Sequence, residues 1–286
     1  MEYLDLKQKN GSVMVIVPHQ DDELLLTAGV LYQAKRLGRD VKAVIVTNGD
    51  CGCSDYTKGQ DRLRETIKGM QVLGIPGQDL IFMGYADTGM PKEDSFLWKL
   101  YQESDPEKVY PSGCSDRTYA LPEKEEYHME KYGEHAPYTR NMLKGDLKSL
   151  LLQYKPDCIF TTAMEDVHGD HAGLYLFIQE ILREIRREKN YVPEVFCSLA
   201  HSVAGDDLWP EREGERFTCP GGFEDGGGKW EERYCFMLPE EMMSKMGSDN
   251  LKYRALLQYE TALEPNAYTF LMSFIKDEEI FWKMEI

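Results

Sequence analysis

The chain has 286 residues, 42% hydrophobic and 29% charged, which is a globular composition with enough apolar material for the core of one large domain. Its 50 acidic and 33 basic residues give a formal net charge of −17, which repels phosphodiester backbones and anionic membrane surfaces and so argues against nucleic acid or such membranes as partners. The N-terminal residues lack the basic and then apolar layout of a signal peptide, and no apolar run approaches the ~20 residues of a membrane span.

Strand-like and helix-like segments alternate in the first half of the chain. Short apolar, β-branched runs predict buried parallel strands over residues 12–18, 41–47 and 79–85. Apolar residues at helical spacing predict two helices between these strands, one ending near Gly38 and the other near Gly74.

A polar, aromatic stretch over residues 90–138 interrupts this alternation and is too long for an ordinary connection, which predicts an inserted, lid-like segment. The alternation then resumes, and the predicted elements are a helix over 141–154, a strand over 157–162, a long helix marked by Leu174, Ile178, Ile181 and Ile185, and a strand over 194–200. A glycine-rich stretch at 221–228 predicts a flexible loop at about 205–230, and a helix over 248–263 and a short apolar tail follow.

Beta–alpha alternation predicts an α/β fold that is Rossmann-like, with a mainly parallel sheet flanked by helices on both faces and right-handed crossovers. We expect residues 1–286 to form a single domain. The seven cysteines are scattered without a C-x-x-C pair, and Cys51 and Cys53 flank one glycine, unlike structural zinc ligands. Scattered thiols are typical of a reducing compartment, so we expect a cytoplasmic protein.

Two clusters of acidic residues and histidines follow predicted strands. Residues 18–23 (PHQDDE) come directly after the first strand, and residues 168–171 (HGDH) come shortly after the strand over 157–162. Ligands of open α/β sheets bind beyond the carboxyl ends of strands. A catalytic zinc ion takes three protein ligands from His and carboxylate and leaves a fourth position for water, so one His and one Asp of the first cluster and one His of the second would supply a site.

Each cluster by itself has a simpler explanation. An H-x-x-H pair is commonly a helix cap or a surface pair, and an Asp-Asp-Glu run at a helix start commonly serves capping and dipole compensation. Capping does not explain why both clusters lie at carboxyl ends of strands, each next to a helix start. Together the clusters therefore favour a metal site.

At these residues the chain resembles the LmbE-like, or PIG-L-type, zinc-dependent de-N-acetylases. The motifs of that family read A-H-P-D-D-E and H-P-D-H, and they stand here as Pro18-His19-Gln20-Asp21-Asp22-Glu23 and His168-Gly169-Asp170-His171. Similar stretches are Thr47-Asn48-Gly49, the Arg62-x-x-Glu65 helix, residues 84–89 (GYADTG), His201 with Trp209-Pro210, and Lys252-Tyr253-x-Ala255-Leu256. The resemblance covers most of residues 12–263. It implies an LmbE-like fold and a hydrolase that removes an N-acetyl group from an N-acetylglucosamine-type conjugate by metal-activated water.

Carried over residue by residue, the resemblance implies His19, Asp22 and His171 as the ligands of Zn²⁺, and Fe²⁺ would fit the same donor atoms. Two departures concern this site, because Gln20 and Gly169 stand where the family has proline. Since proline fixes φ, both changes are expected to loosen the geometry of the ligands without removing a ligand atom.

The resemblance also implies catalytic roles for three other residues. Asp21 matches the general base, His168 matches an imidazolium that stabilises the oxyanion and protonates the leaving amine, and Asp170 matches a carboxylate that orients a histidine. Arg62 and Asp87 are our candidates for substrate contact, because a guanidinium and a carboxylate each bridge vicinal sugar hydroxyls. The alternatives are that Arg62 pairs with acidic neighbours on a solvated helix face and that Asp87 caps a turn.

These residues predict an enzyme, a metal-dependent N-deacetylase whose partner is a small-molecule amino-sugar conjugate. The alternatives are a metal-dependent amidase acting on another N-acyl amine and a catalytically weak, metal-dependent sugar-binding module, although a pure binder would need neither Asp21 nor His168. A nucleotide-binding Rossmann domain is disfavoured because the first strand leads into acidic residues and not into G-x-G-x-x-G. A homo-oligomer is compatible with the sequence.

Overall fold

Eight strands form one open sheet in the part of the chain that this computed structural model describes, residues 1–8, 11–189, 191–244, 247–263 and 267–286. The strands are β1 (Glu2–Tyr3), β2 (Val13–Val17), β3 (Val41–Thr47), β4 (Leu80–Tyr85), β5 (Cys158–Thr162), β6 (Glu194–Ser198), β7 (Tyr234–Met237) and β8 (Glu278–Lys283). Their order across the sheet is β1-β7-β8-β6-β5-β2-β3-β4. β8 runs antiparallel to both of its neighbours, and the other described pairings are parallel.

The central strand β2 illustrates why the sheet has a core on each face. Its five residues are all buried. Val13, Val15 and Val17 belong to one apolar cluster, and Met14 and Ile16 belong to the other. Successive side chains of a strand point to opposite faces, so a strand covered on both faces must be apolar throughout, as the sequence of β2 is.

Helices cover both faces of the sheet. They are α1 (Asp22–Arg36), α2 (Thr57–Val72), α3 (Phe96–Gln102), α4 (Tyr127–Tyr132), α5 (Arg140–Tyr154), α6 (Gly169–Lys189), α7 (Leu251–Leu256) and α8 (Tyr268–Met272). The apolar sides of α1, α2 and α7 join the cluster that contains Val15, and those of α3, α5 and α6 join the cluster that contains Ile16. The predicted Rossmann-like arrangement, a mainly parallel sheet between two layers of helices, is confirmed. None of the described helices has the length and apolar character of a membrane span.

The segment over residues 90–138 contains α3 and α4 and packs against the rest of the fold. α3 crosses α6 so closely that a Cβ atom on Gly173 would lie 2.7 Å from the backbone nitrogen of Trp98. The backbone N–H of Leu97, in α3, donates a hydrogen bond to Asp170 Oδ1 at 2.7 Å. This segment therefore supports the second histidine cluster directly.

The C-terminal part differs most from the sequence-based prediction. The helix predicted over 248–263 ends at Leu256, and the chain then turns so that the side chain of Tyr259 is fully buried. The expected apolar tail instead forms α8 and then β8, which lies between β6 and β7. β7 was not predicted, and it follows the loop over 205–230, in which Phe217 and Phe223 are buried against the core.

Candidate metal centre and active site

The two sequence clusters meet at the carboxyl edge of the sheet. β2 and β5 are paired neighbours, and their carboxyl ends lead into α1 and α6. Residues 18–23 and 168–171 lie at those ends, so His19 and His171 come together with 3.2 Å between His19 Nδ1 and His171 Nε2. Both rings are buried.

Three of the predicted ligand atoms form a nearly equilateral triangle. Asp22 Oδ2 lies 3.4 Å from His19 Nδ1 and 3.3 Å from His171 Nε2, and the two nitrogens are 3.2 Å apart. Ligand atoms bound at about 2.0–2.2 Å to a tetrahedral zinc ion are separated from each other by about 3.3–3.6 Å. The three atoms therefore fit one face of a tetrahedral metal ion, which leaves a fourth position for water or substrate.

A carboxylate holds the other nitrogen of each of these two rings. His19 Nε2 lies 3.1 Å from Asp170 Oδ2, and His171 Nδ1 lies 2.9 Å from Asp166 Oδ2. Metal-ligating histidines are commonly oriented by carboxylates in this way, which also fixes the nitrogen that faces the metal. The structure thus places Asp170 against a histidine, and it adds Asp166 as a second such carboxylate.

Asp166 is a residue of the site that the sequence analysis missed. Besides His171, its Oδ2 accepts the backbone N–H groups of Ala200 and His201 at 2.8 and 3.0 Å, and its Oδ1 accepts that of His168 at 2.9 Å. Its place shortly after β5 was the available signal, because sites form beyond the carboxyl ends of parallel strands. Asp166 lies outside the H-G-D-H motif, and a lone Asp in a loop is commonly a turn residue.

Carboxylates dominate the electrostatics of the cluster. Burial alone lowers the pKa of His171, but the carboxylates of Asp166 and Asp22 raise this pKa to about 10. Burial alone raises the pKa of Asp22, but His171 and His19 hold this pKa well below its ordinary value. The cluster therefore favours a positive charge between its carboxylates, which either protons or a metal ion supply.

Asp21 precedes Asp22, a predicted metal ligand, and has an unusual backbone. Its φ of 102° lies in the left-handed region, which is uncommon for a residue other than glycine. Its side chain is 16% exposed, and Arg62 Nη2 lies 3.5 Å from its Oδ2. Burial raises the pKa of Asp21 to about 6, against the lowering effect of Arg62. A carboxyl group in this range is well matched to accept a proton near neutral pH.

His168 lies against both histidines that are predicted to bind metal, with ring centroids 4.5 Å from His19 and 4.8 Å from His171. Its Nδ1 accepts the backbone N–H of Asp170 at 3.2 Å, so the proton of the neutral ring resides on Nε2. Burial first, and then the neighbouring histidines, lower the pKa of His168 well below its ordinary value. The structure therefore favours a neutral N–H donor over the imidazolium that the family resemblance implied.

A cavity of about 530 Å³ opens beside Asp21. Its walls include the charged side chains of Arg62 and Arg212. They also include His201, whose ring stacks on Phe270 with 5.0 Å between centroids. Charged groups that converge next to an aromatic wall suit a polar, ring-shaped ligand.

The two predicted substrate contacts have different surroundings. Arg62 lies in the wall of the cavity and is partly buried beside Asp21, so it does not pair on a solvated helix face. Asp87 follows β4, and one of its oxygens lies within 4.8 Å of ligand atoms of His19 and Asp170. Its Oδ1 also accepts the backbone N–H of Gly89 at 3.0 Å, which is a turn contact of the kind that the alternative explanation requires.

The two replacements of proline do not leave their loops unsupported. The carboxamide of Gln20 donates a hydrogen bond to the carbonyl oxygen of Thr47 at 2.7 Å. A Cβ atom on Gly169 would lie 2.4 Å from Ser95 Oγ and 2.8 Å from Lys92 Cα, so glycine is required where these segments meet. Packing and a side-chain hydrogen bond therefore support these loops where proline is missing, and the expected loosening stays a prediction.

Some histidines lie apart from this site. His128 is buried with its Nδ1 2.7 Å from Asp146 Oδ1, and Tyr85 donates to the other oxygen of Asp146 at 2.9 Å. His135 contacts Glu126 at 3.1 Å and is partly exposed. The pair of His128 and Asp146 resembles His171 and Asp166 in geometry but lies away from the metal centre, between α4 and α5.

Comparisons with known proteins identify the family and the fold. A family model described as PIG-L, GlcNAc-PI de-N-acetylase, matches residues 14–182. Among solved structures, the A40926 pseudoaglycone deacetylase is 14% identical and covers 95% of this chain and 96% of its own, with a TM-score of 0.53. The N,N'-diacetylchitobiose deacetylase from Pyrococcus horikoshii is 13% identical over 98% of this chain and 85% of its own, with a TM-score of 0.53. A zinc-inhibited form of teicoplanin deacetylase is 15% identical over 95% of this chain and 97% of its own, with a TM-score of 0.52.

At these identities the similarity to solved structures concerns the fold. No curated protein matches the chain by sequence.

Proposed function

The chain belongs to the PIG-L family of GlcNAc-PI de-N-acetylases, and on that premise we propose that it is a zinc-dependent hydrolase that removes the N-acetyl group from an N-acetylglucosamine-type conjugate. The observation that carries the proposal is the triangle of donor atoms, 3.2–3.4 Å apart, next to the carboxyl group of Asp21. His19, Asp22 and His171 would hold the metal ion. Iron(II) is the alternative metal, because the same donor set suits it.

The metal and the protein have separate tasks in this proposal. A divalent ion held by His19, Asp22 and His171 would polarise the amide carbonyl as a Lewis acid and would lower the pKa of water to about 7. Asp21 accepts the proton of the attacking water, a general-base contribution of about 10²–10⁴-fold, and that proton is then available to the leaving amine. His168 donates its Nε2–H to the oxyanion of the tetrahedral intermediate, and Asp166 and Asp170 keep the ligand rings in place.

The substrate class is inferred from the cavity and from the relatives. The similar solved structures include deacetylases of diacetylchitobiose, of the A40926 pseudoaglycone and of teicoplanin. In this chain, Arg62 and Asp87 are proposed to contact sugar hydroxyls, and the wall formed by His201 and Phe270 is proposed to face the sugar ring.

The remaining parts of the proposal concern the whole molecule. Strands from both ends of the chain join one sheet, which supports a single domain over residues 1–286. The net charge of −17 supports a small-molecule substrate rather than nucleic acid, and the scattered thiols support a cytoplasmic enzyme. Light scattering of the purified protein distinguishes a monomer from a homo-oligomer.

The experiment that tests the function pairs metal analysis with turnover. Protein purified without added metal is assayed for zinc and iron and for amine release from N-acetylglucosamine, several of its conjugates and other N-acyl amines. Near-stoichiometric metal, with release that a chelator abolishes, is the expected result. Because a related deacetylase has a zinc-inhibited form, release is measured over a range of zinc concentrations.

The other outcomes separate the alternatives. Metal without release from any sugar conjugate, but with release from another N-acyl amine, would favour the wider amidase. Metal and sugar binding without release from any compound would favour the binding module. A folded protein that takes up neither zinc nor iron would rule out the metal-dependent mechanism.

A further inference from the structure

Helix α1, which begins at the ligand Asp22, is interrupted within its length. Thr27 has φ −142° and ψ 16°, and its hydroxyl donates to the carbonyl oxygen of Glu23 at 2.7 Å. A break of this kind takes backbone groups out of the helical hydrogen-bond pattern, and buried groups without partners destabilise a fold. The partners that α1 finds instead come from the C-terminal part of the chain.

A buried lysine and a buried glutamate bond to the backbone around the break. Lys252 Nζ donates to the carbonyl oxygen of Leu25 at 2.7 Å. Glu279 accepts the N–H of Gly29 at 2.8 Å and the N–H of Val30 at 3.1 Å. Lys252 and Glu279 lie 3.6 Å apart with side chains at most 1% exposed, a setting in which charges persist only when they are paired and hydrogen-bonded. This pair therefore ties both halves of α1 to the C-terminal part.

Tyr259 makes a third buried contact, at the start of α1. Its hydroxyl donates to one oxygen of Glu23, and the other oxygen of Glu23 accepts the backbone N–H of Asp21 at 3.0 Å. The ring fits closely over α2, because a Cβ atom on Gly69 would lie 2.2 Å from Tyr259 Cε2. Two hydrogen bonds thus connect Tyr259 to the backbone of Asp21, the residue with the left-handed φ.

We infer that Lys252, Tyr259 and Glu279 are positioning residues, which hold the start of α1 so that Asp21 and Asp22 keep their places in the site. All three lie beyond residues 14–182, the part of the chain that matches the family model. The inference rests on the proposed function for its kinetic test but not for its backbone test. Loss of a supporting hydrogen bond of this type typically reduces activity by about 10–100-fold.

The kinetic test compares two Tyr→Phe variants in the full-length, metal-loaded protein. Tyr259→Phe removes the hydroxyl that reaches Glu23, and Tyr85→Phe removes an equally buried hydroxyl that donates to Asp146 at 2.9 Å on the opposite face. We expect Tyr259→Phe to lower kcat at least about 10-fold, with KM and bound metal unchanged. Tyr85→Phe is expected to keep the wild-type kcat while losing a similar amount of Tm.

The backbone test is amide hydrogen exchange over residues 19–30, which needs no turnover. Exchange there is expected to rise in Tyr259→Phe and in Glu279→Gln, and to stay at the wild-type level in Tyr85→Phe. A wild-type protein that releases no amine would count against the proposed function and leave this comparison intact. Equal losses of kcat in the two Tyr→Phe variants, or unchanged exchange in folded Tyr259→Phe, would overturn the inference. If Tyr259→Phe does not fold, Glu279→Gln is compared with Tyr85→Phe by the same criteria.

Discussion

Charged residues at the amino edge and at the carboxyl edge of the sheet differ in their pairing and in their burial. At the amino edge, Asp79 directly precedes β4 and accepts hydrogen bonds from Lys35 at 2.6 Å and from Lys42 at 2.8 Å. At the carboxyl edge, the neighbouring carboxyl groups of Asp21 and Asp22 lie among buried histidines. The amino edge pairs opposite charges near solvent, whereas the carboxyl edge concentrates titratable groups in the interior.

The paired charges at the amino edge stabilise the fold, whereas the arrangement of charged groups at the carboxyl edge does not. Buried groups of like charge are unfavourable, and a non-glycine residue held in a sparsely populated backbone region costs about 1–3 kcal/mol, as at Asp21. Such features persist where a function requires them. Changes at the carboxyl edge should therefore alter turnover and metal binding, and changes at the amino edge should alter stability.

The largest effect is expected from Asp21→Asn. The amide cannot accept the proton of water, so kcat should fall by about 10²–10⁴-fold while bound metal stays near the wild-type level. Steady-state amine release and metal analysis on the same preparation measure both quantities. A variant that retains more than a tenth of the wild-type kcat would show that Asp21 is not the general base.

A smaller effect is expected from Asp166→Asn. Asp166 accepts hydrogen bonds from His171 and from three backbone N–H groups, so the change should weaken metal affinity about 10–100-fold. The matched control is Asp146→Asn, which alters an equivalent buried pair with His128 at 2.7 Å. Competition with a chromogenic chelator measures the affinities. Equal losses in both variants would mean that the effect is general destabilisation.

The strained backbone of Asp21 predicts an inverted order of stability for two variants. At a position with an ordinary φ value, a protein with glycine is less stable than the same protein with alanine. At the φ of 102° found here, glycine avoids the clash that a Cβ atom makes. Asp21→Gly should therefore exceed Asp21→Ala in free energy of unfolding by about 1 kcal/mol, although both lack turnover. Urea unfolding of the two proteins measures the difference, and the ordinary order, with alanine more stable, would contradict strain at this residue.

The smallest effect is expected at the amino edge, from Asp79→Asn. Although burial alone raises it, hydrogen bonds from Lys35 and Lys42 hold the pKa of Asp79 below its ordinary value. A carboxyl group whose pKa is lower in the folded state stabilises the protein above its unfolded pKa of about 3.9 and loses this contribution as the pH falls through the folded value.

Asp79→Asn should therefore lower the free energy of unfolding at pH 7 by about 0.5 kcal/mol, since solvent screens partly exposed pairs, and should leave kcat unchanged. The difference in Tm from wild type should shrink below about pH 4, as thermal unfolding at several pH values would record. If kcat falls in Asp79→Asn while the protein is fully folded, the claim that changes at the amino edge affect only stability is wrong.

The parts of the fold that the sequence predicted well are those with local signals. The strand over 12–18 was recognisable because each of its faces is buried, and Gly38 and Gly74 marked the ends of the first two helices. The main site residues were recognisable for a related reason. His19 and His171 belong to short motifs at strand ends, so their meeting followed from parallel topology.

The parts that were missed depend on distant partners. Glu279 is a polar residue at the start of β8, yet it is buried because β8 and the broken helix α1 meet there. The helix predicted over 248–263 ends earlier, at Leu256, and the side chain of Tyr259 turns inward to reach the distant Glu23. Asp166 was missed because it lies outside the motif, and because two of its four hydrogen bonds come from the backbone of Ala200 and His201, which are remote in sequence.

The place of β8 in the sheet has a consequence for how the protein is made. In the described part of the chain, β8 joins the pair of β1 and β7 to the other strands, yet the ribosome synthesises it after all of them. Until it emerges, β6 presents an open edge of the kind that pairs with other chains. Non-local pairings of this kind also form slowly. Chains truncated before residue 278 should therefore aggregate during expression.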